Sequence, residues 1–126
     1  NLIIRGILTL KNVNEKNAGK INSISIVDQY LEHARVIIFN NKGNQKVFIS
    51  SADWMVRNLD HRIEVAVPIV DPVIKKELID IIHIQLKDNQ KARILDIDLS
   101  NKYVPSEKAS RFKSQEETYK FLKGKR

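Results

Sequence analysis

Two short apolar runs rich in β-branched residues stand on either side of a polar turn and predict a β-hairpin. The first run is Val36–Phe39, the second covers residues 47–49, and Asn-Lys-Gly-Asn at residues 41–44 supplies the turn. A hairpin depends only on neighbouring residues, so this part of the fold can be predicted before any long-range contact is considered.

The length of the hairpin loop sets the register of its two strands. A loop over residues 41–44 places Arg35 opposite Ser50 and His33 opposite Ala52. One end of the sheet therefore gathers His33, Ser50 and Ser51.

The rest of the chain alternates short apolar runs with helical patterns, which is typical of the mixed α/β class. A length of 126 residues is suited to one globular domain. The predicted elements are a strand over residues 2–10, a loop over 11–20, a helix over 23–33, a strand over 65–70, a helix that begins at Asp71 and Pro72, a strand over 92–97 and a helix over 114–123.

Single residues refine these predictions. Arg5 interrupts the first apolar run, and a buried guanidinium there would need a partner. Pro68 favours a sheet edge or a strand end, since it lacks a backbone N–H. Ser114 with Glu117 three residues later predicts a capping box at the last helix. His83 lies on the apolar stripe of its helix and is predicted to be a partly buried core residue.

The excess of basic residues is concentrated near the C-terminal end. Residues 101–126 hold 8 of the 22 Lys and Arg residues but only 3 of the 15 Asp and Glu residues. Nucleic-acid binding is usually accompanied by basic residues and aromatic side chains spread over the folded body. That pattern is missing, so nucleic acid is not the expected partner, although a basic module formed by Arg111, Lys113 and Lys120 stays open as an alternative.

Several classes of protein are excluded by composition. The chain has no cysteine, which excludes disulfide scaffolds and Cys-based zinc sites. No apolar stretch approaches the roughly 18 residues that a membrane span needs. The first residues lack an initiator Met and resemble the interior of a strand, so we infer a fragment of a longer protein. A cytoplasmic location is expected, with peripheral association with the inner membrane left open.

The segment from residue 49 to residue 64 carries many hydroxyl, carboxylate, amide and guanidinium groups between two apolar strands. Together with residues elsewhere it suits a phosphate site. Arg5 and Arg62 supply planar forks for phosphate oxygens. His33 can carry a proton near neutral pH, and Glu64 could orient the imidazole. A glycine-rich phosphate loop, a Walker lysine and paired carboxylates for two metal ions are missing.

Three motifs closely resemble the C-terminal region of bacterial polyphosphate kinases, and the similarity extends over residues 2–103. The first is Ser-Ile-Val-Asp-Gln-Tyr-Leu-Glu-His-Ala-Arg at residues 25–35. The second runs from residue 47 to residue 65 and includes Ser-Ser-Ala-Asp-Trp-Met and Arg-Ile-Glu. The third is Leu-Ser-Asn-Lys-Tyr at residues 99–103.

This resemblance implies a phospholipase D-like fold, in which a mixed sheet is flanked by helices, and a chain that lacks the first strands of the domain. Residues 1–126 would form part of the C-terminal domain, with a linker and terminal helix over 106–126. The implied activity is reversible transfer of the terminal phosphate of ATP to inorganic polyphosphate, through a phosphohistidine carried on a preceding domain.

The resemblance also implies roles for single residues. His33 matches the second active-site histidine, as a proton donor or phosphate contact, and Arg5 matches an arginine that contacts ATP. Arg62 and Glu64 match a pair beside the transferred phosphate. The ligands of Mg²⁺ are expected mainly outside this chain, so no metal ligand is assigned here. The implied partners are polyphosphate, ATP or ADP, the remaining domains of the enzyme and further copies in a homo-oligomer.

Two departures from related patterns matter. Residues 11–19 replace the Pro- and Gly-rich loop of the family. Arg35 and Asn40 stand where the general phospholipase D signature has Lys and Asp, which argues against lipid or nucleic-acid hydrolysis. A phospholipase D-like phosphodiesterase acting as a dimer is kept as the enzymatic alternative.

Overall fold

The computed structural model describes residues 1–6, 21–96, 98, 100–105 and 110–125. These residues form two compact units, one made of residues 1–31 and 83–126 and the other of residues 32–82. The mixed α/β class is confirmed. The strands are β1 (Leu2–Ile3), β2 (Ser23–Ile26), β3 (Val36–Phe39), β4 (Lys46–Ser50), β5 (Ala66–Pro68) and β6 (Ala92–Ile94); the helices are α1 (Val56–Leu59), α2 (Pro72–Leu86) and α3 (Ser114–Lys123), with a 3₁₀ turn at Asn41–Gly43.

In the unit of residues 32–82, three antiparallel strands form a sheet of order β3-β4-β5. Val36 pairs with Ile49, as the loop length predicted. The same register continues beyond the strands, because the Ser50 N–H donates to the Arg35 carbonyl oxygen over 2.8 Å. Val47 on the central strand is only 1% exposed and marks the core of this unit.

Two further predictions are confirmed: Pro68 at a sheet edge or strand end, and a helix that begins at Asp71 and Pro72. Pro68 is the last residue of β5, which is an edge strand. Asp71 caps α2, since its Oδ1 accepts the backbone N–H groups of Val73 at 2.8 Å and Ile74 at 2.9 Å. A carboxylate at this position satisfies two donors that have no partner within the helix.

In the unit of residues 1–31 and 83–126, the sheet order is β1-β2-β6, with β1 parallel and β6 antiparallel to β2. The helix predicted over residues 23–33 is wrong, because β2 occupies its first part. Strand pairing on both sides of β2 supplies the hydrogen bonds that a helix would have made internally. Ile26 of β2 lies opposite Ala92, and these two residues are 5% and 0% exposed.

Two predictions of burial are wrong. Arg5 is exposed after the end of β1, so its charge remains hydrated and needs no buried partner. His83 is exposed on α2 and is not a core residue. Residues 7–10 of the predicted first strand and the loop over residues 11–20 lie outside the described residues, as does residue 97 of the predicted strand over 92–97. Within the described residues, no helix is long and apolar enough to cross a membrane.

Asp88 joins two segments of its unit through backbone hydrogen bonds. Its Oδ1 accepts the N–H groups of Gln90, Lys91 and Ala92 at 2.9, 2.6 and 3.0 Å. Its Oδ2 accepts the N–H of Ser114 at 2.7 Å, at the beginning of α3. The Asp88 residue is 1% exposed, so these bonds replace nearly all of its hydration.

The Asp88 carboxylate explains why the predicted capping box is absent. The N-cap position belongs to Lys113, which makes no side-chain capping bond, and Ser114 is the first residue of α3. Burial alone would raise the pKa of Asp88, but the N–H donors from Ser114 and Lys91 outweigh burial and hold that pKa below its ordinary value. Asp88 is therefore a buried anion stabilised by oriented backbone dipoles.

We expect Asp88→Asn to destabilise the protein. The amide keeps one acceptor oxygen for the loop but replaces Oδ2, leaving the buried Ser114 N–H without its acceptor at a cost of about 1–3 kcal/mol. Urea unfolding followed by circular dichroism measures this change. Asp80→Asn is a matched control, because Asp80 forms an ion pair with Lys76 on α2. This substitution should lower the free energy of unfolding by less than about 0.5 kcal/mol. Equal effects of the two substitutions would contradict the assigned role.

The same carboxylate should make folding sensitive to acid. The pKa of Asp88 is lower in the folded than in the unfolded chain, so its stabilisation is complete above the unfolded value of about 3.9. It is lost as the pH falls through the lower folded value. The urea midpoint should therefore decrease more steeply below about pH 4 in the parent chain than in Asp88→Asn. If the urea midpoint fell equally steeply with pH in the parent chain and in Asp88→Asn, this expectation would be contradicted.

Candidate functional site

The register of the β3–β4 hairpin brings charged side chains to one end of the sheet. At the end of β4, the Ser50 Oγ accepts the Ala52 N–H at 3.1 Å and stabilises the turn that leads to Asp53. Across the sheet, the Arg35 Nε donates to the Asp53 Oδ1 at 2.7 Å. The Arg35 Nη2 lies 3.1 Å from the His33 Nε2. Asp53, Arg35 and His33 thus form a chain of contacts.

The bond between Arg35 and Asp53 keeps both side chains charged. The hydrogen bond lowers the pKa of Asp53 and raises the pKa of Arg35. The side chains are 24% and 40% exposed, so water screens their attraction and the pair adds little stability. Its main effect is geometric, because a charge-assisted bond at the Nε edge restricts the orientation of the guanidinium.

Glu64 is held by a second group of polar contacts. The Ser51 hydroxyl donates to Glu64 Oε2, and Asn58 Nδ2 donates to Glu64 Oε1 at 2.8 Å. Asn58 lies on α1 and is 3% exposed, and the Val65 N–H donates to Ser51 Oγ at 3.0 Å. Donors aimed at the carboxylate, first Ser51 and then Asn58, lower the pKa of Glu64. Glu64 is therefore a fixed anion.

Three of the four residues singled out from sequence lie in the unit of residues 32–82. His33 and Arg62 are exposed, and Glu64 is half-buried. The charge of Arg62 also contributes to the lowered pKa of Glu64. Arg5 belongs to the other unit, and its convergence with His33 and Arg62 stays a prediction.

The contacts of His33 differ from the sequence hypothesis. Glu64, which was expected to orient the imidazole, instead bonds Ser51 and Asn58, and Arg35 is the group in contact with His33. Sequence reasoning did not assign a role to Arg35 or to its partner. The predicted register indicated part of this arrangement. It placed Arg35 opposite Ser50, at the sheet end from which the turn to Asp53 begins.

An open depression of about 390 Å³ lies beside these polar groups. Its wall is mainly apolar and includes Trp54, Leu59 and Val65, while Ser50 and Glu64 contribute polar groups. Trp54 is 77% exposed and is not packed into a core. The site thus combines a charged edge with an apolar surface.

The two carboxylates of this site are bound by protein donors. Asp53 bonds Arg35, and Glu64 bonds Ser51 and Asn58. Over the described ranges, no group of three or more His, Cys, Asp or Glu side chains could hold a metal ion. We assign no metal ligand to this part of the chain.

We expect Ser51→Ala to raise the pKa of Glu64 toward the ordinary carboxyl value, because the hydroxyl is the principal group that lowers it. Carbon-13 titration of the side-chain carboxyl groups by NMR measures the change. Asp53 is an internal control, since its pKa is lowered mainly by Arg35. An unchanged pKa of Glu64, or equal shifts of both carboxyl groups, would contradict the assigned contact.

The comparisons with known proteins all identify the same family. Residues 1–115 match the family model described as polyphosphate kinase C-terminal domain 2. Polyphosphate kinases from Klebsiella pneumoniae and Escherichia coli K12 are each 49% identical to the chain over 123 residues. These matches cover 98% of the chain but only 18% of each relative, so the chain spans less than a fifth of the length of these curated relatives.

The structural comparison agrees with the sequence comparison. The crystal structure of polyphosphate kinase from Porphyromonas gingivalis matches with a TM-score of 0.85 and 45% identity. The match covers 90% of this chain and 17% of the crystallised chain. This structural match bears out the phospholipase D-like fold inferred from the motifs. The chain therefore belongs to the polyphosphate kinase family and corresponds to its C-terminal domain 2.

Proposed function

We propose that this chain forms the distal part of a polyphosphate kinase active site. The enzyme reversibly transfers the terminal phosphate of ATP to inorganic polyphosphate. The observation that carries the proposal is that one unit holds exposed His33 in contact with Arg35, exposed Arg62, and the fixed carboxylate of Glu64, whose pKa is lowered in part by the charges of Arg62 and Arg35. Membership of the family supports this reading, because phosphoryl transfer depends mainly on positioning and neutralisation of phosphate charge.

Each of these residues has a role in the proposal. Arg62 binds non-bridging phosphate oxygens through its planar fork. Glu64 is fixed by its bonds to Ser51 and Asn58, and in the proposal its negative charge attracts the Arg62 guanidinium beside the transferred phosphate. His33 contacts the phosphate or gives it a proton. Arg5 contacts ATP in this proposal.

The remaining chemistry belongs to parts of the enzyme beyond this chain. The histidine that carries the phosphoryl group and the ligands of Mg²⁺ are assigned there. This assignment agrees with the engagement of Asp53 and Glu64 by protein donors. The working enzyme in this proposal is a cytoplasmic homo-oligomer, with its other domains completing the site.

The alternative of a basic nucleic-acid module has less support. Lys113 lies 3.4 Å from Asp28 and 3.2 Å from Glu116. Lys120 lies 2.7 Å from Glu117. Positive charges already paired in this way contribute less to the attraction of a polyanion than free ones.

We expect Arg62→Ala to weaken the binding of polyphosphate to this chain. Loss of one charge-assisted contact costs about 1.5–3 kcal/mol, which corresponds to roughly a 10- to 100-fold increase in Kd. Isothermal titration calorimetry measures Kd. Arg111→Ala is the matched control, because it removes the same side chain from the exposed basic tail and should change Kd less than about twofold.

The outcomes separate the alternatives. A larger effect of Arg111→Ala than of Arg62→Ala would favour the basic module. Equal binding by the parent chain and by a variant with both His33→Ala and Arg62→Ala would overturn the proposed site. Hydrolysis of a phosphodiester by a dimer of the chain, measured with a nuclease assay, would favour the phosphodiesterase.

A further inference from the structure

The contact between Arg35 and His33 is a hydrogen bond for only one tautomer of the neutral imidazole. A guanidinium has only N–H donors and no acceptor. At 3.1 Å from Arg35 Nη2, His33 Nε2 can complete a hydrogen bond only through its lone pair. The proton of the neutral imidazole must then be on Nδ1.

Asp53 makes this arrangement specific to arginine. Its carboxylate binds the Nε edge of Arg35 at 2.7 Å, while the Nη2 end of the same planar group faces His33. The rigid fork therefore transmits the position of Asp53 to the imidazole. An ammonium group is a single point of charge and cannot connect two partners at a fixed angle in this way.

We infer that Asp53 and Arg35 are positioning residues that fix His33 as a neutral Nδ1–H donor to a phosphate oxygen. This inference rests on the proposed function and chooses between the two roles left open for His33. A neutral imidazole would become an imidazolate if it gave up its proton, so it acts as a hydrogen-bond donor and not as an acid. With its lone pair engaged by Arg35, Nε2 is also not a nucleophile.

The tautomer of His33 is a direct test in the chain itself. Nitrogen-15 NMR of histidine-labelled protein at neutral pH distinguishes a protonated Nδ1 from a protonated Nε2. We expect the proton on Nδ1 of His33 in the parent chain. A proton on Nε2, or on both nitrogens, would overturn the inference without any need for a variant.

Substitutions then test the positioning role. Arg35→Met removes the donors but keeps an unbranched side chain, so the signal of His33 should move toward the Nε2–H tautomer. Asp53→Asn should give a smaller shift in the same direction, because Arg35 remains but is held less firmly. Lys76→Met is the matched control, since it removes a positive charge and breaks the exposed ion pair with Asp80. Retention of the parent tautomer in folded Arg35→Met would contradict the inference.

Activity in an enzyme of the relatives' length gives a second readout. Misplacement of His33 in Arg35→Met should lower kcat about 10²-fold. The KM for ATP should change far less, and Arg35→Lys should not restore kcat. Rescue by lysine would show that charge alone is required and would overturn the positioning role. Failure of the proposed function would appear differently: polyphosphate binding would be unchanged in the variant with both His33→Ala and Arg62→Ala, while His33 of the parent chain would still show the Nδ1–H tautomer.

Discussion

The cross-strand hydrogen bonds of β4 determine where the charged groups of the site lie. β4 pairs with β3 on one side and with β5 on the other. Its register therefore sets the positions of Arg35 before β3, Asp53 after β4 and Glu64 before β5. A shift by one residue would turn every side chain to the opposite face of the sheet. The contacts of His33, Asp53 and Glu64 all depend on this single alignment.

The two carboxylates at this sheet end have the same physical function. Asp53 is bound by a guanidinium, and Glu64 is bound by a hydroxyl and an amide. Each has a lowered pKa and is held by protein donors, so both carboxylates are ionised and fixed in orientation. Arg62 is exposed, and its positive charge contributes to the lowered pKa of Glu64.

The sequence predicted those features whose causes are local. The hairpin register follows from its short loop, and the beginning of α2 follows from Asp71 and Pro72. The helix predicted over residues 23–33 failed because a helical spacing of apolar residues could not reveal pairing with β6, far away in the chain. The Ser114 cap failed for a related reason, since its N–H is accepted by Asp88, 26 residues earlier. The link from Asp53 through Arg35 to His33 required knowledge of side-chain orientation, which residue spacing does not contain.

The position of Trp54 has a practical consequence. It is the single tryptophan of the chain, follows Asp53 directly and lines the depression beside Glu64. Because most of its indole faces water, its fluorescence emission will respond to any molecule that displaces solvent from this surface. The protein thus contains a natural optical reporter next to its charged edge, and binding can be followed without attaching a dye.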